Sequence, residues 1–305
     1  MSDRKQVIHL SPSADEAVKP SELIQITGHQ NLTLNARRAI TILWHNAHRQ
    51  GIEEGRDYTI QLSDLRSDQN RSMQVVEEAI VSLMQTILTV RLPNNKTRRV
   101  QFLGGNDMDD PERPAGRLTY SFDKRLVEIL KDSYIWGKIT MPILMAFSSK
   151  YAVSLYEHLA QWSNLEYKSY QDFSLEEFRG MLGVEDGKYP KFGALNKHIL
   201  QPVAAEINAL APFNVMIIPI KSGRAVSHIR VGWSRKDPDQ LRAAYEEAQR
   251  PKVGRKARIS GQAQYVSKPL PRAEDQLRRM RIERRGSETS PFGSETSPLA
   301  DDDDF

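Results

Sequence analysis

The 305-residue sequence predicts an α+β chain made of two similar folded blocks in tandem, followed by a tail of different character. Three observations carry this. Apolar residues recur at helical spacing in some stretches and alternate as in strands in others. The order helix, short helix, long helix, β-hairpin is found twice along the chain. After about Asp237 the composition turns first basic, then acidic and repetitive.

The first block begins after an N-terminal stretch, residues 1–30, whose weak patterning predicts a flexible entry. Leu34, Ala39, Ile42 and Leu43 repeat at helical spacing until Gly51 and Gly55 break the pattern. Tyr58 to Leu62 reads as a short strand, with a brief helix from Ser63 through Leu65. Ser72 to Leu88 is strongly amphipathic, carrying Val76, Ile80, Leu83 and Ile87 on one stripe. Strands are expected at Leu88–Leu92 and Arg98–Leu103 around the turn Pro93-Asn94-Asn95-Lys96. Gly104 to Gly116 reads as an acidic loop, Arg117 to Phe122 as a strand, and Asp123 as the cap of a helix bearing Leu126, Ile129 and Leu130.

Tyr134 to Phe147 shows little period and reads as a connection. The second block then opens at Ser148 or Ser149 with a helix carrying Tyr151, Leu155 and Leu159. Ser174-x-x-Glu177 is a capping box, and Gly183 a stop after Leu182. Pro190 starts a long helix with Phe192, Leu195, Ile199, Val203 and Ile207 on its apolar stripe; Pro202, inside it, is expected to bend it. Asn214–Lys221 and Ala225–Trp233 form a hairpin around Ser222-Gly223-Arg224. Helix, short helix, long helix and hairpin is the order of a helix-turn-helix with a β wing, so the prediction is two tandem winged-helix domains, residues 31–133 and 134–236.

Residues 237–305 form the expected tail, mostly disordered, with a helix as far as Gln249. Arg250 to Arg285 holds twelve Lys/Arg against three Asp/Glu, a net of +9, whereas Gly286 to Phe305 has six acids and no bases. The formal net charge of the whole chain is only +4, so the folded body is close to neutral and the basic character sits in an arm. Such an arm suits a polyanionic partner or is a solvated linker. Leu277–Arg285 reads as a basic helix, and Gly286-Ser-Glu-Thr-Ser-Pro-Phe repeats as Gly293-Ser-Glu-Thr-Ser-Pro-Leu. The longest apolar stretch, Phe213 to Ile220, is too short to cross a bilayer, and Met1-Ser-Asp-Arg-Lys is not followed by the apolar run of a signal peptide. With no cysteine in the chain, disulfides, thiolate metal sites and cysteine nucleophiles are excluded, and a cytoplasmic location is expected.

If the second long helix enters a DNA groove, its polar face offers Lys191, Ala194, Lys197, His198 and Gln201, with Lys188 and Tyr189 just before it to hold phosphate or sugar. The same pattern describes an ordinary solvated helix face. Lys221 and Arg224 stand at the second wing, and Arg71, Lys96, Arg98 and Arg99 before the long helix and on the wing of the first block. Glu77 and Glu78 on the first long helix speak against base reading there. His45-x-x-His48 has no evident third ligand, although Glu53 is near, and is read as structural.

The second block resembles the iteron-binding replication initiators of bacterial plasmids. The resemblance rests on Ser149-Lys-Tyr-Ala-Val-Ser-Leu-Tyr-Glu, Ser174-Leu-Glu-Glu-Phe-Arg-Gly-Met-Leu-Gly, Tyr189-Pro-Lys-Phe, Ile199-Leu-Gln-Pro-Val-Ala-Ala-Glu-Ile-Asn and Gly223-Arg-Ala-Val-Ser-His-Ile. It covers roughly residues 20–236, the first block fitting by pattern more than by motif. It implies sequence-specific binding of repeated origin DNA, help in opening an AT-rich region, contact with host helicase, initiator or other replication proteins, and self-association, with dimers repressing the protein's own gene. The first domain is then the place for dimerisation or DNA-backbone contact and the second for iteron recognition.

The terminus, Ala300 followed by Asp301, Asp302, Asp303, Asp304 and Phe305, is similar to the acidic tip of bacterial single-strand DNA-binding proteins, which docks on replication partners. It lacks the Ile-Pro that usually precedes the final phenylalanine, and masking of the basic arm is an equal alternative. No cofactor, membrane or catalytic role is expected. A nicking initiator needs His-x-His for its metal, and the chain has none; a phosphate-cradling Gly-x-x-x-x-Gly-Lys-Ser/Thr and a Gly-x-Ser-x-Gly elbow are also absent. A winged-helix transcription regulator without an initiator role remains the alternative.

Overall fold

Two clusters of buried side chains organise the chain, one for each block. The computed structural model describes residues 15–262 apart from 26–27, 67–71, 92–95, 111–115, 132, 134–135 and 164–167. The described residues fall in a single compact unit that ends at Gln262. Leu277–Arg285, the tandem repeat and the expected turn at 93–95 lie outside them.

The described chain opens with β1 (Glu16–Pro20) and α1 (Ser21–Ile24), where a flexible entry was expected. Helix α2 (Leu34–Gln50) starts at Thr33, whose hydroxyl accepts from the Ala36 amide at 3.1 Å, and ends at Gly51. Then come β2 (Tyr58–Gln61), a 3-10 turn (Leu62–Leu65) and α3 (Met73–Gln85). The first hairpin pairs β3 (Ile87–Arg91) with β4 (Thr97–Gln101). The acidic stretch expected as a loop contains β5 (Leu103–Met108), which pairs with β6 (Arg117–Phe122) across a bulge near Gly104. Strands β2, β6 and β5 form one sheet in that order, and α4 (Lys124–Lys131) follows, with Asp123 Oδ1 accepting from the Arg125 and Leu126 amides. Trp44, Tyr58, Tyr120 and Phe122 build an aromatic centre for this domain.

The stretch read as a connection forms β7 (Trp136–Thr140) and α5 (Met141–Ala146). Strand β7 pairs with β1 from Glu16↔Thr140 to Pro20↔Trp136, so the N-terminal segment is tied to the junction of the two blocks. Helix α6 (Lys150–Trp162) is buried along most of its length. A strand with no counterpart in the sequence reading, β8 (Tyr170–Ser174), precedes α7 (Leu175–Leu182). The capping box is formed: Ser174 Oγ accepts from the Glu177 amide, and Glu177 Oε2 from the Ser174 amide. Gly183 ends α7 at φ +70°, a conformation that strains other residues, and a Cβ there would run into the Arg37 guanidinium and crowd the His29 ring at 3.1 Å.

The second long helix runs as α8 (Phe192–Leu195), a π-turn (Asn196–Leu200) and α9 (Gln201–Leu210). Pro202 has no amide hydrogen for the helical ladder, and the preceding turn is widened so that Gln201 N–H reaches Asn196 O. The proline is thus accommodated by a π-turn within a continuous helical path. Strands β9 (Phe213–Ser222) and β10 (Ala225–Arg235) form the second hairpin, and β8 adds on the far side of β10. Glu206, Ile207 and Asn208 lock this domain. Glu206 Oε1 accepts from the Ser148 amide at 2.6 Å, Ile207 is fully buried, and Asn208 pairs through its amide with both backbone groups of Val215.

Two further helices follow: α10 (Pro238–Gln249), on the stretch read as a helix as far as Gln249, and α11 (Arg255–Ile259), which the sequence reading did not place. Arg255 is buried, donates to Ala146 O at 2.6 Å, and meets Glu247 at 3.2 Å; Arg258 joins the same carboxylate at 2.8 Å. Part of the basic arm is therefore a clasp on the second domain.

Polar contacts also cross between the blocks. Lys19 on β1 meets Glu157 on α6 at 2.7 Å, and Thr41 on α2 donates to the same carboxylate at 3.0 Å. Burial pulls the Lys19 ammonium below its ordinary pKa, and Glu157 opposes that shift. Arg37 donates to Ser154 Oγ at 2.9 Å, and Arg38 to the carbonyls of Met145 and Phe147.

Candidate nucleic-acid interface

The helical path from Lys191 to Leu210 sorts its residues cleanly. Leu195, Ile199, Val203 and Ile207 are buried in the second core, and Phe192 is half-buried against it. Lys191, Gly193, Lys197, His198 and Gln201 are exposed, and Ala194 is half-buried. From Lys188 to Ala205 there are three lysines and one histidine and no acid. Gly193 was not singled out in the sequence, yet space around it is open: a Cβ there meets nothing within 4 Å. The first turn of the helix is therefore narrow and lets a polyanionic backbone come close.

The approach to this helix is tightly held. Tyr189 has φ +52°, the one positive value of a non-glycine residue among the described residues. A conformation of this kind is costly and needs support. Arg179 on α7 supplies it by donating to the carbonyls of Lys188 and Tyr189. The Tyr189 ring stacks on His198 at 5.4 Å with 19° between planes. Arg179 could not have been found from sequence, because it acts on backbone carbonyls across a turn.

Lys188 is not free to reach out unopposed. Its ammonium lies 2.9 Å from Glu185, and Lys150 at the start of α6 lies 2.7 Å from the other oxygen of that carboxylate. Lys150 also donates to Gln30 O at 2.8 Å. The hydrogen bonds from Lys150 and Lys188 pull the Glu185 carboxyl down to about 2, so it is ionised at every working pH. The arrangement is a carboxylate clamped by two lysines beside the N-terminal end of the helix.

At the second wing, Ser222 pairs with Ala225 and leaves a two-residue tip, Gly223-Arg224. Gly223 has φ +63° whereas Arg224 does not take a positive value, the pattern of a II′ hairpin turn with glycine first. Lys221 and Arg224 are both exposed. In the first domain Lys96 and Arg99 are exposed on the wing, and Arg98 meets Glu128 of α4 at 2.8 Å. Arg71 and the residues Asp301, Asp302, Asp303, Asp304 and Phe305 lie outside the described residues. His48 packs edge-on against Trp136 at 5.7 Å, and burial lowers the pKa of both His45 and His48. Among the described residues no group of three metal-ligating side chains is gathered. No described helix is long and apolar enough to cross a membrane.

Comparison with known proteins agrees with this architecture. Residues 16–160 match the family model described as Initiator Replication protein, WH1, and residues 174–233 match that of Initiator Rep protein, WH2. Among solved structures, the chain is similar to the Pi initiator protein in complex with iteron DNA, with a TM-score of 0.56 at 19% identity, over 73% of this chain and 98% of that one. At that identity the likeness speaks for the fold. A weaker likeness, TM-score 0.41 at 14% identity, joins it to domains 2 and 3 of RctB over 71% of this chain and 85% of that one. No curated protein matches the sequence.

Proposed function

The chain belongs to the initiator Rep proteins, with a tandem pair of winged-helix domains, and from that premise we propose that it starts replication by binding directly repeated origin DNA through its second domain. One observation carries the reading: the helix from Lys191 to Gln201 presents lysines, a histidine and a glutamine on a face free of acids, with a glycine in its first turn. Lysine and glutamine match base-edge acceptors and donors in the major groove. Arg224 and Lys221 on the wing are suited to the phosphate backbone, which fixes register without reading sequence. The solved neighbour, an initiator bound to iteron DNA, supports taking repeats of that kind as the target.

The role is non-catalytic: the protein binds, helps to open an adjacent AT-rich tract, and recruits host replication proteins in the cytoplasm. Self-association with repression of its own gene belongs to the same reading, and Val81 and Ile87, exposed on the first domain, are suited to a contact between copies. The acidic terminus Asp301–Phe305 is suited to a basic site on a replication partner. Footprinting the pure protein on the DNA flanking its gene tests the core of this. The expected result is a row of direct repeats beside an AT-rich tract, with supercoiled DNA left intact. A lone operator makes the protein a regulator, and strand nicking makes it an enzyme; either result overturns the proposal.

A further inference from the structure

We propose that Glu185, anchored by Lys150, is an internal stand-in for a DNA phosphate, holding Lys188 while DNA is absent or loosely bound and yielding it to the backbone of a correctly docked site. The inference rests on the DNA-binding reading of the second domain and assigns it a specificity-determining residue. Its basis is geometry. One carboxylate accepts from two lysines of different elements, at 2.7 and 2.9 Å. The loop that carries it runs directly into the helix whose first residues face outward. A carboxylate and a phosphate ester are both oxyanions that bind an ammonium in the same way. Glu185 and Lys188 are each more than a third exposed, so their pairing is of the weak, exchangeable kind, whereas Lys150, only 16% exposed and also bonded to Gln30 O, is the fixed side of the clamp. Lys188 is also fixed in place by its own backbone, since Arg179 holds its carbonyl and that of Tyr189. The lysine therefore changes partner without rebuilding the loop.

The consequence is discrimination. Random DNA is held almost wholly by phosphate contacts and counterion release. When a duplex lies loosely on the helix, Lys188 stays on Glu185 and contributes nothing. When Lys191 and Lys197 engage their bases, the backbone is brought to a fixed place and the exchange takes over. Removing the carboxylate gives Lys188 to any DNA, so affinity for random sequence gains the full contact, while the specific complex gains only the cost of displacement.

The test is fluorescence anisotropy over a salt series, with a direct-repeat duplex and a scrambled duplex of equal composition. Glu185→Gln is expected to tighten binding to scrambled DNA severalfold and to steepen its salt slope by about 0.9, the value for one lysine, with a smaller change on the repeats. Asp186→Asn is the control. It removes the same charge from the adjacent exposed residue, which pairs with neither lysine, and it is expected to leave the scrambled-DNA slope in place. Lys188→Gln, at a half-exposed position, is expected to lower the slope on the repeats by about 0.9 and leave the scrambled slope unchanged. Unchanged or weaker binding of scrambled DNA by Glu185→Gln, or an equal effect of Asp186→Asn, overturns the proposal. If Lys191→Ala and Lys197→Ala leave discrimination intact, the recognition helix itself is misassigned. If those two changes abolish discrimination while Glu185→Gln does nothing, only the stand-in role fails.

Discussion

Lys19 and Glu157 meet with both side chains less than a tenth exposed, and the pair joins β1 to α6 across the junction of the domains. A buried pair adds little net stability, but removing one partner strands a charge in the interior. Glu157→Ala is expected to cost about 3–5 kcal/mol in urea unfolding, whereas replacing both residues, Lys19→Met with Glu157→Leu, is expected to restore most of it. Equal losses for the single and double variants contradict this. His158, beside Glu157, is fully buried; its Nδ1–H donates to Ser154 O at 2.9 Å, and burial lowers its pKa from 6.5 to about 4. The unfolded chain takes a proton at this residue as pH falls below 6.5, and the folded chain does not until about 4. Stability is therefore full above pH 6.5, falls through that window by about 3 kcal/mol, and levels off below it. His158→Asn is expected to flatten this part of the acid profile, and an unaltered slope excludes His158 as its source.

At the scale of elements, what could be read in the sequence was what is decided locally. The capping box at Ser174 and Glu177, the stripe Leu195, Ile199, Val203 and Ile207, and the Gly223-Arg224 tip depend on neighbours a few residues away. Strand β1 was not legible, because Glu16 and Lys19 make it look polar, and its partners, β7 and Glu157, lie more than a hundred residues on. Strand β5 was hidden by Gly104, Gly105, Asn106 and Asp107, a composition that reads as loop but is paired along β6. Helix α11 was hidden because Arg255 counts as solvated charge until Glu247 and the Ala146 carbonyl are seen around it. In the candidate interface, the outward residues of the helix were legible by periodicity. The clamp on Glu185 and the pairing of Arg98 with Glu128 were not, since both depend on which elements pack together. Truncation follows from this. A chain ending at Lys236 loses α10 and α11 and is expected to melt several degrees lower than one ending at Gln262. Equal melting of the two by calorimetry contradicts the clasp.

For the whole molecule, the near-neutral body places the burden of DNA affinity on a few positioned cations rather than on overall charge. Binding is therefore expected to weaken steeply with salt, and Arg224→Ala to weaken repeat and scrambled DNA alike, because a wing-tip arginine holds backbone. Loss of repeat binding alone by Arg224→Ala assigns the wing a base-reading role instead. The central claim is that the helix beginning at Lys191 reads the origin. It is tested most directly by comparing the Lys191→Ala, Lys197→Ala double variant with the unaltered protein on repeat and scrambled duplexes at one fixed salt concentration. Each lysine that contacts a base is expected to contribute about 1–3 kcal/mol of discrimination, so the preference for the repeats should fall by at least about tenfold while scrambled binding changes little. A variant that still folds and keeps the full preference contradicts the account.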